Sequence, residues 1–386
     1  MSHAAAPKVH ESLDAYNRKI PFFNYPALFK DHEEDYVRIF RDVCGRGAYI
    51  LQKDLSEFEA AIAKFLKVKH VIGTADGTNA IMIGLMAIGL KPGDEVIVSS
   101  HTYIATASAA QMLGARAVPC DIGPDNLMDP ASVERLITER TRVILPTHVN
   151  GRTCAMDPIM ALAEKHGLMV AEDAAQALGS TYKGRAAGTF GRFGTFSFYP
   201  AKILGCFGDG GAVITNDDTL GAALRALRDH GRDETGKVVL WGTNSRLDNL
   251  QAAFLHYNFK SYPEIMARRR AIAAMYTQGL SDVAELRLPA GPDSQPDHYD
   301  VFQNYELAAE NRDALREFLK DKGIGTIIQW AGTPVHQFKD LYPQTPSLPK
   351  VDHFFARCMM LPMNMTLSDD DVRHVIAAIR AFYGRA

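Results

Sequence analysis

The stretch from residue 194 to residue 215 reads Gly194-Thr-Phe-Ser-Phe-Tyr-Pro-Ala-Lys202-Ile-Leu-Gly-Cys-Phe-Gly208-Asp-Gly-Gly211-Ala-Val-Ile-Thr215. Its two ends, residues 194–198 and 211–215, have the length and the aromatic or β-branched residues that are typical of strands. Lys202 lies between them, flanked by aromatic residues and a glycine-rich turn. A lone lysine in a loop is usually a solvated charge, but these neighbours indicate partial desolvation. Desolvation lowers the pKa of an amine and makes it a competent nucleophile and proton carrier.

A carboxylate follows an earlier apolar run, in Leu168-Met-Val-Ala-Glu172-Asp173-Ala-Ala-Gln176-Ala. Open α/β sheets bind ligands at the carboxyl ends of their strands, so we expect Asp173 at a binding edge. An aspartate before Ala-Ala-Gln-Ala would also serve as a helix cap, and both roles are compatible. A lysine and a carboxylate are what a pyridoxal phosphate (PLP) enzyme needs. The amine forms a Schiff base with the cofactor, and the carboxylate keeps the pyridine nitrogen protonated.

The order and spacing of these segments resemble those of the DegT/StrS-like sugar aminotransferases. These PLP-dependent enzymes place an amino group on a nucleotide-linked keto-sugar. The resemblance implies that Lys202 forms the Schiff base and carries the proton during transamination. It also implies that Asp173 pairs with the pyridine nitrogen and that Gln176 donates to the phenolic oxygen of the cofactor. It covers nearly the whole chain.

The cofactor phosphate needs backbone N–H donors at the start of a helix. The segment Gly73-Thr-Ala-Asp-Gly77-Thr78-Asn-Ala provides a strand, a turn and a helix start, and Gly77 and Thr78 match the phosphate loop of the family. The chain departs from the family at Ala75-Asp76, where Ser-Ser is more usual. By the same resemblance the Ser197 hydroxyl is a further phosphate donor, although a strand serine can also bond its own backbone.

Two further positions match cofactor-binding positions of the family. Tyr103, after the second predicted strand, occupies the place of an aromatic residue that stacks on the pyridine ring. Asn244, in Asn244-Ser-Arg246, matches an asparagine that reaches the cofactor phosphate of the neighbouring subunit in relatives. It therefore implies a homodimer with shared active sites. Tyr103 as a core residue and Asn244 as a helix cap are the ordinary alternatives.

Three residues are candidates for contact with the substrate. Tyr49, in Gly47-Ala-Tyr49-Ile-Leu, matches a segment that lies near the sugar nucleotide in the family. His148 ends another predicted strand, and His336 lies in the C-terminal part of the chain. A lone histidine is more often structural than catalytic, so that alternative stays open for both.

The pattern between about residue 56 and residue 215 alternates Val- and Ile-rich runs with stretches of helical period, which predicts an α/β fold with a mostly parallel, seven-stranded sheet flanked by helices. The candidate strands are residues 68–74, 95–99, 116–120, 142–147, 168–172, 194–198 and 211–215. A further strand, residues 300–307, and helices at 311–322 and 369–382 predict a smaller α+β part. We place the large PLP-binding domain at residues 1–255, with an N-terminal arm at 1–35, and the small domain at 256–386. The resemblance implies that this is the fold-type I architecture of the aspartate aminotransferase superfamily.

Composition excludes several other classes of protein. The 386 residues are 47% hydrophobic and 23% charged, with a formal net charge of −3, so no nucleic acid or anionic membrane is expected as a partner. The longest apolar run, residues 80–90, is too short to span a bilayer and predicts a buried helix. Five widely spaced cysteines form neither a metal motif nor an even disulfide set. The first twenty residues lack the pattern of a signal peptide, and we expect a cytoplasmic protein with no metal.

Transamination is the function that the resemblance implies. An amino acid, L-glutamate in our prediction, loads the cofactor, which then aminates a nucleotide-linked keto-deoxysugar. A PLP-dependent nucleotide-sugar dehydratase is an alternative, although Lys202 counts against the version in which histidine replaces the lysine. A non-catalytic, PLP-binding sensory or structural protein is another. The sequence leaves open C3 or C4 amination, the nucleotide (dTDP, UDP or GDP), the sugar's stereochemistry and pathway, and any oligomer beyond the dimer.

Overall fold

The computed structural model describes residues 19–342, 344 and 346–385. The first residues of the predicted N-terminal arm, 1–18, lie outside this range. The helices are α1 (Tyr25–Lys30), α2 (Glu33–Gly45), α3 (Lys53–Leu66), α4 (Gly77–Ala87), α5 (Ile104–Met112), α6 (Pro130–Leu136), α7 (Met156–His166), α8 (Asp218–Arg228), α9 (Asn249–Phe259), α10 (Tyr262–Leu280), α11 (Arg312–Asp321), α12 (Pro349–Phe355) and α13 (Asp369–Phe382). None of the described helices is both long enough and apolar enough to cross a bilayer.

The strands form a central sheet and two smaller ones. They are β1 (His70–Thr74), β2 (Glu95–Ser99), β3 (Arg116–Cys120), β4 (Thr141–Leu145), β5 (Met169–Val170), β6 (Glu172–Asp173), β7 (Thr181–Tyr182), β8 (Arg185–Ala186), β9 (Gly194–Ser197), β10 (Gly211–Thr215), β11 (Leu286–Arg287), β12 (His298–Tyr299), β13 (Tyr305–Ala309) and β14 (Cys358–Leu361). The small sheets have the orders β12-β7-β8 and β11-β13-β14, and both are antiparallel.

The central sheet confirms the predicted architecture. Its two halves, β3-β2-β4-β5 and β6-β9-β10-β1, join because β5 and β6 are consecutive parts of one extended segment. Within that segment Ala171 N donates to Ile144 O on β4, and Glu172 N donates to Phe193 O beside β9. Only β10 runs antiparallel to its neighbours. The sheet is therefore mostly parallel, and each of the seven predicted runs contributes to it.

Helices cover both faces of this sheet, which explains why its strands are apolar throughout. All five residues of β2 and all five of β10 are buried, as is usual for a mostly parallel sheet that is covered on both faces. The predicted buried helix is α4, and it lies close against the strands. A Cβ at Gly84 would lie 2.3 Å from the Phe193 ring, so this close approach requires glycine.

A second core lies in the C-terminal part of the chain. Apolar residues between Ile272 and Ile379 form it, and Ile20 from the N-terminal segment joins them. Helix α10 contributes Tyr262 and Met266 to the first core and its later residues to the second. The change from one core to the other thus comes within α10, and the division at residue 255 stays a prediction.

The predicted strand at residues 300–307 is displaced in the structure. The observed strand, β13, begins at Tyr305. Val301 N donates to Gly151 O, and Phe302 has a φ of +51°, so the segment before Tyr305 bends instead of extending. The predicted helix at 369–382 is α13, and a capping box between Ser368 and Asp371 fixes its start.

One buried carboxylate connects the elements around the carboxyl end of β6. Glu172 has no exposed surface and accepts hydrogen bonds from the backbone N–H groups of Gly188, Phe190 and Gly191 at 2.6–2.8 Å. His148 Nε2 lies 2.9 Å from the same carboxylate. The loop between β8 and β9 is therefore attached to the strand that ends at Asp173.

We expect Glu172→Ala to destabilise the protein by about 3–5 kcal/mol, because it leaves buried donors without an acceptor. The free energy of unfolding in urea, followed by circular dichroism, would measure this. Glu164→Ala changes an exposed glutamate on α7 and should shift the free energy by less than about 0.5 kcal/mol. Equal stability of the two variants would contradict the role given to Glu172.

Candidate active site

The loop that carries Lys202 is fixed by a residue from the C-terminal part of the chain. Gln303 Nε2 donates to Ala201 O at 2.8 Å, and Gln303 Oε1 accepts from Ile203 N at 2.9 Å. The backbone is thus held on both sides of Lys202, while Lys202 N itself donates to Tyr199 O at 2.8 Å. Two hydrogen bonds from one amide side chain leave the lysine backbone little freedom.

The Lys202 amine is in the desolvated environment that its neighbours predict. Burial lowers its pKa to about 8, and the negative charge of Asp173 acts in the opposite direction. Near neutral pH about a tenth of such amines are neutral, far more than for an exposed lysine, and the neutral form is the one that a Schiff-base nucleophile requires. A small cavity of about 70 Å³ adjoins Lys202 and is lined in part by Phe22, Phe23 and Tyr25 of the N-terminal segment.

Asp173 lies at the carboxyl end of β6, and only 5% of its surface is exposed. Its Oδ2 accepts from the Thr106 hydroxyl at 2.6 Å, and its Oδ1 accepts from Ala175 N at 3.1 Å. A turn, and not an α-helix, follows Asp173, so Asp173 is not a helix cap. Its hydrogen bond with Ala175 N lies within this turn. These hydrogen bonds fix the orientation of the carboxylate that a pyridine nitrogen would face.

The amide of Gln176 has a defined orientation. Its Oε1 accepts from the backbone N–H of Asn150 at 2.7 Å. Because a backbone N–H can only donate, this bond assigns the oxygen, and Nε2 is left to donate elsewhere. The orientation suits a donor to a phenolic oxygen.

The start of α4 has unpaired donors. The backbone N–H groups of Gly77 and Thr78 have no acceptor among the residues that the structure describes. A Cβ at Gly77 would lie 2.9 Å from Ser197 Cβ, so Ser197 lies directly beside this helix start. The Ser197 oxygen also accepts weakly from Tyr199 N, at 3.3 Å. The three predicted phosphate donors are therefore brought together.

The unusual Asp76 has a structural explanation. Its carboxylate caps α4 by accepting from Asn79 N at 2.8 Å and from Asn79 Nδ2 at 2.6 Å. Both oxygens are occupied, so the capping role that a serine would fill is retained. The departure from the family pattern leaves the donors at Gly77 and Thr78 in place.

Three of the predicted site residues present their side chains to solvent. They are Tyr49, Tyr103 and Asn244. Tyr103 precedes α5 and its ring centroid is 6.5 Å from that of Trp330, so it is not a core residue. Asn244 is not a helix cap, since Asp248 precedes α9. Tyr49 O accepts from Asn249 N at 2.9 Å, which joins its segment to the one that carries Asn244.

The two histidines have partners that leave them little capacity for a substrate. His148 accepts from Cys154 N through Nδ1 and contacts Glu172 through Nε2, and it has no exposed surface. His336 lies 2.7 Å from the Ser100 hydroxyl and 3.0 Å from Asp352, and burial lowers its pKa. In this conformation both rings act as structural links, which is the ordinary alternative for a lone histidine.

Sequence reasoning missed three residues that position the site. Thr106, Asn150 and Gln303 hold Asp173, Gln176 and the Lys202 loop, respectively. The pair Thr102 and Thr106, four residues apart at a helix start, is a local signal that could have indicated the first. The other two contacts join distant parts of the chain and leave no local pattern.

Comparison with known proteins places this geometry in a family. The model of the DegT/DnrJ/EryC1/StrS aminotransferase family matches residues 30–380. The chain belongs to this family. Its fold is therefore that of the fold-type I PLP aminotransferases, it is an enzyme, and its cofactor is PLP.

Individual relatives match over almost their full length. The dTDP-3-amino-3,4,6-trideoxy-alpha-D-glucose transaminase of Streptomyces venezuelae is 38% identical over 97% of this chain and 99% of its own. The UDP-2-acetamido-2-deoxy-3-oxo-D-glucuronate aminotransferase of Pseudomonas aeruginosa is 37% identical over 92% of this chain and 97% of its own. The crystal structure of S. venezuelae DesV in complex with a ketimine intermediate superposes with a TM-score of 0.91 at 38% identity, covering 96% of this chain and all of that one.

The residues present fit PLP. Gly77, Thr78 and Ser197 offer donors for a phosphate, Asp173 offers a carboxylate for the pyridine nitrogen, and Lys202 offers a desolvated amine. A Cβ at Gly211 would lie 2.4 Å from the backbone carbon of Asp76, so the turn after Lys202 packs directly against the start of α4. The end of the glycine turn that follows Lys202 therefore lies beside the predicted phosphate donors.

The lowered pKa of Lys202 predicts a pH dependence for capture of PLP by the apoprotein. Below pH 8 the amine is mostly protonated and is not a nucleophile, so the rate of covalent capture should rise with pH and level off above about pH 9. Stopped-flow absorbance with apoprotein would measure this profile. Lys202→Ala is the control and should capture no PLP. A rate that still rises tenfold per pH unit above pH 9 would contradict the desolvated lysine.

Proposed function

We propose that the protein transfers the amino group of L-glutamate to a nucleotide-linked 3-keto-sugar. The observation that carries the proposal is the placement of a desolvated lysine and a hydrogen-bonded aspartate at the carboxyl edge of one sheet. The family's sugar transamination and the fit of the site to PLP support it. The donor, the sugar and the position of amination are the parts that we propose.

Each residue of the site has a role in the proposed reaction. Bound PLP supplies an electron sink that stabilises negative charge on the carbon that bears the amino group. The Lys202 amine would attach the cofactor covalently. Once displaced, it would move a proton between that carbon and the aldehyde carbon of the cofactor, which lies on the other side of the nitrogen. Asp173, whose Oδ2 accepts from the Thr106 hydroxyl, would keep the pyridine nitrogen protonated. Gln176 donates to the phenolic oxygen.

Five residues bind or cover the cofactor and substrate in this proposal. Gly77, Thr78 and Ser197 bind the phosphate, and the exposed ring of Tyr103 covers one face of the pyridine. Tyr49, half of whose surface is exposed, provides a flat apolar surface for the sugar nucleotide. Remote binding of the nucleotide orients the keto group towards Lys202.

Amination at C3 is the position that we favour. The names of both relatives described above place the nitrogen or the keto group at C3. They differ in the nucleotide and in the sugar, so only the position is carried over to this chain.

We also propose that the protein is a homodimer in which Asn244 of one subunit reaches the phosphate site of the other. Large apolar side chains are exposed on the segments that carry Tyr49, Tyr103, Lys202 and Asn244. They are Tyr49, Tyr103, Tyr199, Phe207, Val238, Val239 and Trp241, and Trp241 is 95% exposed. An apolar surface of this kind is typical of an interface, and a two-fold dimer would bury this surface of both subunits. We place the reaction in the cytoplasm, where the five free thiols would stay reduced.

The half-reactions provide a direct test of the function. L-Glutamate alone should convert the yellow, PLP-loaded enzyme to the pyridoxamine form, and a dTDP- or UDP-linked 3-keto-sugar should restore the yellow form. A 4-keto isomer should restore it at least about tenfold more slowly, because the keto group would be misplaced relative to Lys202. Absorbance spectra record both steps.

Controls separate the parts of this proposal. Lys202→Ala should keep its fold and show neither step. A yellow enzyme that glutamate leaves unchanged would overturn the donor, and faster recovery with the 4-keto-sugar would overturn the position. Recovery with neither sugar would overturn the substrate class.

The dimer is tested through its most exposed side chain. Trp241→Asp should shift the protein from dimer to monomer in sedimentation velocity, because a charge would be buried in the interface. Leu341→Asp, at a site 56% exposed in another part of the chain, is the matched control and should leave the dimer intact. A monomeric wild-type protein would contradict the proposal.

A further inference from the structure

A series of hydrogen-bonded polar side chains, buried at Glu306 and partly buried elsewhere, connects β13 to Gln176. Glu306 is only 3% exposed, and its carboxylate accepts from Asn150 Nδ2 at 2.6 Å. The backbone N–H of Asn150 donates in turn to Gln176 Oε1 at 2.7 Å. Asn304 Nδ2 donates to Asn150 Oδ1 at 2.9 Å, so both polar atoms of the Asn150 side chain have partners.

Asn150 needs these partners because its backbone is in the left-handed region. Its φ is +59°, a conformation that disfavours residues other than glycine and is best tolerated by asparagine. The side-chain hydrogen bonds to Glu306 and Asn304 hold the residue in place. This conformation directs the N–H of Asn150 at the Gln176 amide, so the orientation of that amide depends on Glu306.

The carboxylate oxygen that accepts from Asn150 also faces a buried histidine. His101 Nε2 lies 3.3 Å from Glu306 Oε2, and both side chains are 1% exposed. His101 Nδ1 donates to Asn126 O at 2.8 Å, which fixes the ring. His101 Nε2 lies beside this carboxylate without a hydrogen bond to it in this conformation. His101 is also two residues from Tyr103, so the same cluster supports the segment that would cover the cofactor ring.

We propose that Glu306 and Asn150 are positioning residues for PLP, which fix the Gln176 amide so that its Nε2 donates to the phenolic oxygen. The proposal rests on the PLP cofactor and on the role given to Gln176, and it needs no sugar substrate. A fixed donor stabilises negative charge on the phenolic oxygen, so it tightens PLP binding and favours the ionised phenol. An amide released by Asn150 can rotate and present its oxygen instead, which would repel that charge.

A double-mutant cycle between Asn150 and Gln176 tests whether one acts through the other. Asn150→Gly tolerates the φ of +59° and keeps the backbone N–H, but it removes the link to Glu306. We expect Asn150→Gly and Gln176→Ala each to weaken PLP binding about three- to tenfold. The double variant should bind no more weakly than Gln176→Ala alone. Titration of apoprotein with PLP, followed by tryptophan fluorescence, gives the dissociation constants.

A second pair of variants tests the Glu306 carboxylate, which lies at the other end of this series of hydrogen bonds. Glu306→Gln keeps an oxygen that accepts from Asn150 Nδ2, so it should bind PLP nearly as the wild type does. Glu306→Leu lacks the acceptor and should match Asn150→Gly. The pH midpoint of the absorbance change of bound PLP should move upward in Glu306→Leu and Asn150→Gly, because the ionised phenol loses its donor. It should stay in place in Glu306→Gln.

Asp300→Asn provides the matched control. Asp300 and Glu306 line the same cavity of about 320 Å³, and each has one unpartnered carboxylate oxygen, but Asp300 has no bond to Asn150. This variant should leave PLP affinity and the pH midpoint unchanged. Thermal midpoints of the apoproteins show whether a variant is folded. The Asn150 and Gln176 cycle requires no change at Glu306, so it decides the matter even where Glu306→Leu does not fold.

Additive losses in the double variant would overturn the proposal, since Asn150 would then act independently of Gln176. Unchanged PLP affinity in Gln176→Ala would overturn both the contact to the phenolic oxygen and this proposal. Failure of the proposed sugar substrate would appear only in the keto-sugar assay and would leave these PLP titrations as predicted.

Discussion

The structure depends on two adjacent carboxylates at the end of one short strand. Glu172 and Asp173 point to opposite sides of β6, as consecutive strand residues do. Glu172 binds three backbone N–H groups and His148, while Asp173 is held by Thr106 on the side of Lys202. One carboxylate therefore fixes the strand, and the other uses that fixed position for chemistry. Any shift of the strand by one residue would exchange the two roles.

Several features of the fold could be predicted from local patterns. The strands of the central sheet are continuous apolar runs because both of their faces are covered, and such runs are easily recognised. The helix at 369–382 begins with a capping box and could be placed to the residue. The strand predicted at 300–307 begins later in the structure because Phe302 adopts a left-handed backbone conformation. Such a conformation is usually predicted from a glycine, and this segment has none.

The candidate site divides in the same way. Lys202, Asp173 and Gly77 follow strands or open helices, so position along the chain indicated them. Asn150 and Glu306 are 156 residues apart and meet only in the folded protein. Their pairing could not be predicted, because a buried polar contact between distant segments has no periodicity and no spacing. His148 and His336 illustrate the converse, since a histidine near a strand end is as readily a link between buried segments as a group that meets a substrate.

The hydrogen bonds from Gln303 to the two residues beside Lys202 have a mechanical consequence. Gln303 belongs to the part of the chain that packs with the second core, and Arg269 of α10 binds its backbone carbonyl. A rigid-body rotation of that part would pull directly on the peptide groups that flank the nucleophile. The reactivity of Lys202 therefore depends on how the C-terminal part of the chain is positioned against the large domain. If the C-terminal half of a relative replaced the one in this chain, the exchange would alter the position of Lys202 as well as the binding surface.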